Sequence, residues 1–152
     1  PRTKQRAPQG DTTVNYLLDT CVISELVKPK PHPGVVAWIR SCPEELLYLS
    51  SLTIGELQKG VSKLTFSDKQ SQLQDWINMD LLKRFAGRII PVDAEVAQTW
   101  GRVQASAEQQ GQPMSAMDGL IAASALTHNM EIVTRNTRDM EPSGARMINP
   151  WE

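Results

Sequence analysis

The sequence predicts an α/β fold in which a parallel sheet is covered by helices on both faces. The first observation is size, because 152 residues suit one domain rather than two. The second is order along the chain. From residue 14 onwards, short apolar runs alternate with longer helical segments, as in parallel strands joined by crossover helices. The third is composition, since 40% hydrophobic and 22% charged residues are typical of a globular protein.

Five short apolar runs are predicted to be the strands of this sheet. They cover residues 14–18, 46–49, 88–92, 131–134 and 146–148. Pro91 has no backbone N–H to donate, so the third strand is expected to lie at a sheet edge or to end there. The sequence therefore predicts roughly five parallel strands in one sheet.

Helices are predicted between these strands, over residues 20–27, 34–40, 53–64, 67–85, 94–110 and 115–128. Thr53 is predicted to cap the third helix with Glu56 at its third position, which matches the capping-box pattern. Gly111 is expected to end the fifth helix. The last helix contains the nearly all-apolar run GLIAASAL, which indicates a helix packed against the sheet.

Charge is unevenly distributed along the chain. The net charge is −1, but Arg2, Lys4 and Arg6 give the first ten residues +3 and leave −4 for the remainder. Residues 1–13 are predicted to be a flexible basic lead-in, and residues 14–152 the folded domain. A body of this charge lacks the broad positive surface of a sequence-independent nucleic-acid binder. A more local feature would have to contact phosphates.

Cysteine content and hydropathy indicate where the protein works. The chain has two cysteines, so a disulfide-stapled fold and a zinc cluster are both disfavoured. No apolar run approaches the roughly 20 residues that a membrane helix needs. We therefore expect a cytoplasmic protein without a membrane partner.

Acidic residues follow two of the predicted strands. Asp19 comes directly after the first strand, and Asp139 lies shortly after the fourth. Ligands of open α/β sheets gather at the carboxyl ends of strands, so both residues are expected on one rim. Asp19 would also serve as a helix N-cap, which needs no ligand.

Two further acids lie on predicted helices. Asp118 begins the apolar helix and is expected to be buried, where an ionised carboxylate is costly unless an arginine or a cation pairs with it. Glu56 has its capping-box explanation, and Lys59 and Lys63 farther along would flank a phosphate or form a solvated stripe. Converging carboxylates favour Mg²⁺ or Mn²⁺ over zinc, and such a site supports phosphodiester hydrolysis.

Six segments together resemble the PIN-domain ribonucleases, and most closely the VapC-type and FitB-type toxins of bacterial toxin–antitoxin pairs. They occur in the family's order and spacing and are LLDTCVISEL, LSSLTIGELQKG, AGRIIPVD, MSAMDGLIAASAL, TRNTRD and INPW. The resemblance runs from Asn15 to Trp151. It implies a PIN-like three-layer α/β/α sandwich around a short parallel sheet, and a Mg²⁺- or Mn²⁺-dependent endoribonuclease that cleaves tRNA or ribosomal RNA.

The resemblance also implies roles for individual residues. The catalytic acids correspond to Asp19, Glu56, Asp118 and Asp139, of which Asp19 and Asp118 would hold the metal ion. Thr134 and Asn136 correspond to the polar residues beside the site that would contact substrate.

The same resemblance implies partners. These are an RNA substrate, a second copy of the chain in a homodimer, and a cognate antitoxin whose tail fills the active-site groove. DNA would be bound only through the antitoxin complex. One residue departs from the family pattern, because Cys21 stands where many relatives have asparagine, and a thiol donates hydrogen bonds poorly.

Other functions remain open at this point. Cys21 beside Asp19 suggests a nucleophilic thiol, but neither His32 nor His128 is placed as a convincing base. A phosphatase with an aspartyl nucleophile fits LLDT, although such enzymes usually carry a second aspartate where Cys21 stands. A catalytically silent PIN module that binds an antitoxin, and promoter DNA with it, is the non-enzymatic alternative.

Overall fold

A five-stranded parallel sheet forms the centre of the protein in the computed structural model, which describes residues 13–152. The strands are β1 (Asn15–Leu18), β2 (Leu47–Ser50), β3 (Ile89–Ile90), β4 (Met130–Val133) and β5 (Met147–Ile148). Their order is β3-β2-β1-β4-β5, and every neighbouring pair is parallel. The short strand that precedes Pro91 lies at one edge, as predicted. The predicted basic lead-in lies almost entirely outside the described residues.

Helices connect the strands and cover the sheet. They are α1 (Thr20–Leu26), α2 (Pro33–Ser41), α3 (Ser51–Ser62), α4 (Asp68–Asp75), α5 (Leu82–Arg84), α6 (Ala94–Gln109), α7 (Ala116–Thr127) and α8 (Thr137–Met140). A π-helical segment, Trp76–Leu81, joins α4 to α5, so the helix predicted over residues 67–85 is one helical stretch with a wider central turn. None of the helices in residues 13–152 is both long and apolar enough to cross a membrane.

The sheet separates two apolar clusters, one on each face. Neighbouring residues of a strand point to opposite faces, and Leu18 and Val133 accordingly belong to one cluster while Leu17 and Ile132 belong to the other. Helices α1 and α2 pack in the first cluster and α7 in the second. This arrangement is the predicted three-layer α/β/α sandwich.

Helix α3 begins earlier than predicted, which changes the interpretation of Glu56. The N-cap is Ser50, whose hydroxyl accepts a hydrogen bond from Leu52 N at 3.0 Å. Thr53 therefore lies inside the first turn and is fully buried. The predicted capping box is wrong, because Glu56 lies too far from the helix start to reach the cap. Its carboxylate is free for another role.

Candidate active site

Asp19 lies at the carboxyl end of the central strand β1, where the chain turns into α1. Its backbone N–H donates to Val133 O at 3.0 Å, which ties it to the end of β4. Its side chain is 6% exposed and accepts hydrogen bonds from Thr20 N and Thr134 Oγ1, each at 2.8 Å. The predicted helix-capping role is thus present, but the second oxygen faces a hydroxyl from another strand. This buried carboxylate is the centre of the site.

Glu56 reaches the same region from α3 through Thr20. The Thr20 hydroxyl donates to Glu56 Oε1 and lies 3.3 Å from the buried hydroxyl of Thr53. The residue after Asp19 therefore links two of the predicted acids. Sequence reasoning missed Thr20, although its position directly after the acid at the strand end is a usable signal.

Asp118 also approaches Asp19, but it is not buried as predicted. It is the third residue of α7, where its backbone N–H donates to the N-cap hydroxyl of Ser115 at 3.1 Å, and its side chain is half-buried. No basic residue among residues 13–152 forms an ion pair with it. The buried face of α7 is formed instead by residues such as Ile121 and Ala122. Asp118 is therefore open to a ligand.

Asp139 and Asn136 lie at the margin of the site. Asp139 is exposed on α8 and lines a depression that Asp118 and Ser115 also line. Asn136 is exposed, and its backbone N–H donates to Thr134 Oγ1 at 2.9 Å. The structure thus places Asp139 beside Asp118, whereas Asn136 contacts the site through its backbone.

Thr134 differs from its predicted role. It is fully buried, and its hydroxyl is engaged by Asp19 and by Asn136 N. Such a side chain has no surface to offer to a substrate, so Thr134 is a positioning residue for Asp19. The correction follows from its place at the end of β4, beside the central strand.

Cys21 takes part in the same network. Its sulfur lies 3.8 Å from Asp19 Oδ2 and 3.7 Å from Thr134 Oγ1, and it accepts from Arg135 N at 3.5 Å. Burial and the charge of Asp19 raise the pKa of the Cys21 thiol, which keeps it protonated. His32 uses Nδ1 to cap α2, and His128 ends α7. Neither histidine contacts Cys21, and the geometry disfavours a thiol nucleophile.

The carboxylates of the site act on one another electrostatically. Burial raises the pKa of Asp19, the hydrogen bonds from Thr134 and Thr20 oppose this, and the charges of Glu56 and Asp118 raise it further. Ion pairs within residues 13–152 involve Glu25 and Glu44 only, so these carboxylates form no salt bridge there, although Arg138 lines the same depression as Asp118 and Asp139. No three His, Cys, Asp or Glu side chains of that region are close enough to hold a metal together. The residues present fit an ion that takes one or two carboxylates and completes its coordination elsewhere.

Comparison with known proteins agrees with this fold. A sequence model of the family described as PIN domain matches residues 16–141. The chain belongs to the PIN domain family.

Two PIN-family relatives match nearly the whole chain. Toxin FitB of Neisseria gonorrhoeae is 39% identical over 135 residues, which are 89% of this chain and 97% of that protein. VapC ribonuclease Y4jK of Sinorhizobium fredii is 37% identical over 136 residues, covering 90% of this chain and 97% of the relative. Among solved structures, that of FitAB bound to an IR36 DNA fragment superposes with a TM-score of 0.87 at 39% identity, covering 90% of this chain and 96% of the other.

Proposed function

We propose that this chain is the toxin of a toxin–antitoxin pair and that it hydrolyses phosphodiester bonds in RNA as an endoribonuclease. The observation that carries the proposal is that Asp19, Glu56 and Asp118 act on one another electrostatically and that none of them forms a salt bridge within residues 13–152. Similarity to Toxin FitB and to a VapC ribonuclease over about nine-tenths of the chain supports it. Transfer RNA and ribosomal RNA are the expected substrates.

Mg²⁺ or Mn²⁺ is the proposed cofactor, held by Asp19 and Asp118. Mg²⁺ typically binds through one or two carboxylates together with substrate phosphate oxygens, which suits a site with few protein ligands. When bound, such an ion activates water and stabilises charge on the leaving oxygen.

The remaining residues of the site orient the ligands and the attacking water. Thr134 Oγ1 and Thr20 N each hold one oxygen of Asp19, which fixes the plane of its carboxylate. The Thr20 hydroxyl holds Glu56 in turn. Glu56 and Asp139 would hold a second ion or orient the water, and Asn136 would contact the RNA from the exposed margin.

One proposed partner, the antitoxin, follows from the unpaired charge of these carboxylates. An antitoxin that places an arginine among the carboxylates would neutralise them and block the site. Binding of promoter DNA would then take place through the antitoxin, and we propose that the toxin itself is a homodimer.

A second function is favoured by the same observation. A cage of carboxylates without a cation of its own would also serve a PIN module that only binds its antitoxin. Turnover by the free protein distinguishes the two functions.

The test is cleavage of a pool of tRNA and ribosomal RNA by the purified full chain without antitoxin. We expect discrete fragments with Mg²⁺ or Mn²⁺, none with EDTA, and none from the Asp118→Asn variant. That variant should remain folded, because Asp118 is half-buried and pairs with no basic side chain in residues 13–152. Absence of cleavage by well-folded protein with either metal would favour the binding module.

A further inference from the structure

A groove of about 660 Å³ lies beside Glu56. It shares Glu56 with the candidate active site, so the groove borders the site at that residue. One wall is α3, and the other is formed by the segment after β3 and the start of α7. The residues used below are Gly55, Lys59 and Lys63 on the first wall, and Pro91, Val92 and Met117 on the second.

Two lysines follow Glu56 along this wall. Lys59 and Lys63 are one helical turn apart, so their backbone positions are separated by about 6 Å along the axis. Both are exposed, and neither forms an ion pair or a side-chain hydrogen bond within the part of the chain that the structure describes. Their positive charges therefore remain available at the open side of the groove.

The opposite wall is apolar and accessible. Val92 and Met117 are 37% and 36% exposed, so this wall presents apolar side chains to solvent. On the lysine side, a Cβ added at Gly55 would meet no atom within 4 Å, so the α3 wall has room for a larger side chain at this position. Channels for single-stranded nucleic acid carry positive charge along the path of the backbone, which the lysine wall of this groove provides.

We propose that this groove holds the RNA strand on one side of the bond that is cleaved, with Lys59 and Lys63 contacting two of its phosphates. The inference rests on the proposed ribonuclease function and extends it. The residues after the first ten carry a net charge of −4, so the protein lacks a broad positive surface for phosphates. Two unpaired lysines beside the site would provide a local contact instead. The groove residues include no aromatic side chain, so the contact is expected to tolerate any base.

The first test measures binding of a fluorescent single-stranded RNA of mixed sequence by anisotropy, using the full chain in EDTA over a series of KCl concentrations. The logarithm of the association constant falls linearly with the logarithm of the salt concentration, and each phosphate contact adds about 0.7 to the magnitude of that slope. The double variant Lys59→Gln with Lys63→Gln should therefore reduce the magnitude of the slope by about 1.4. That change corresponds to roughly 25-fold weaker binding at 0.1 M salt.

The matched control removes the same charge elsewhere. Lys30 and Lys83 are exposed and do not line the groove, so Lys30→Gln with Lys83→Gln should leave both affinity and slope nearly unchanged. Thermal denaturation of each variant reports whether it is folded.

A steric test leaves every charge in place. Gly55→Leu should place a large side chain in the groove from its α3 wall. RNA binding should weaken at least several-fold, because the new side chain occupies space that is now open. Gly101→Leu is its control, since Gly101 is also an exposed helical glycine with no atom within 4 Å of an added Cβ, but it lies on α6 away from the groove.

The outcomes separate this inference from the function on which it rests. If the wild-type chain cleaves RNA but the lysine variants keep the wild-type salt dependence of RNA binding, the groove assignment alone is overturned. A folded wild-type chain that neither binds nor cleaves RNA would overturn the ribonuclease function as well. Loss of self-association in the lysine variants, with the RNA slope unchanged, would identify the groove as a protein interface and likewise overturn the proposal.

Discussion

The hydroxyl of Thr134 can be removed with almost no change in side-chain shape, by Thr134→Val. The residue is fully buried, and its hydroxyl donates to Asp19 Oδ2 at 2.8 Å. Hydrogen bonds to charged groups contribute about 1.5–3 kcal/mol, so we expect the variant to lose about 2 kcal/mol of unfolding free energy. The bond from Asn136 N adds little, since Asn136 is exposed and water can replace it.

A matched control is available in Thr127→Val. The Thr127 hydroxyl donates to the neutral hydroxyl of Thr99 at 2.9 Å, so the same chemical change removes a bond between uncharged groups. Such a bond contributes about 1 kcal/mol or less. Both variants should be compared with the parent chain by urea denaturation at pH 7 in EDTA.

Thr134→Val should lower the free energy of unfolding more than Thr127→Val if Asp19 is ionised and accepts the hydrogen bond from Thr134. A loss of about 2 kcal/mol corresponds to a fall in melting temperature of roughly 4–8 °C for a domain of this size. Thr134→Val should also reduce RNA cleavage, because the Asp19 carboxylate loses the donor that orients it. If Thr134→Val were no more destabilising than Thr127→Val, the positioning role assigned to this hydroxyl would be refuted.

Three further predictions follow from the described contacts. Cys21→Ala should retain RNA cleavage within about tenfold, whereas a nucleophilic thiol would require loss of essentially all activity. Asp139→Asn should slow cleavage less than Asp118→Asn, because Asp139 is exposed at the margin of the site. The measurement is kcat/KM on one RNA, and an equal loss in the two variants would place both acids at the reacting phosphate. The Arg84 and Arg88 guanidinium groups hold the pKa of Glu44 below its ordinary value. The ion pair therefore stabilises the folded state at pH values above the ordinary pKa, and this contribution is lost as the pH falls through the lowered pKa of the folded state. Glu44→Gln should thus lower the free energy of unfolding at pH 7 but not in strong acid, and by less than about 1 kcal/mol because the Glu44 side chain is 47% exposed. A difference in unfolding free energy that did not change with pH would contradict the ion pair.

Much of the fold could be predicted from local patterns. The predicted ends of the five strands lie within two residues of the observed ends. Each strand is a short apolar run, and such a run indicates a buried strand from residue type alone. The start of α3 was placed wrongly, since Ser50, Ser51 and Thr53 are all good caps by residue type. Only the end of β2 decides among them, and Ser50 is the residue that leaves the sheet.

The sequence by itself determined the α/β class and the parallel sheet, and it predicted the four acids of the candidate site. The tertiary structure decided which of them meet. Asp19 and Thr134 are 115 positions apart in the chain and become hydrogen-bonded because β1 and β4 are neighbours in the sheet. The same pairing buries Thr134, while the first-turn position of Asp118 on α7 leaves that acid half-exposed. Burial and long-range contact depend on packing between segments, which residue type and spacing do not encode locally.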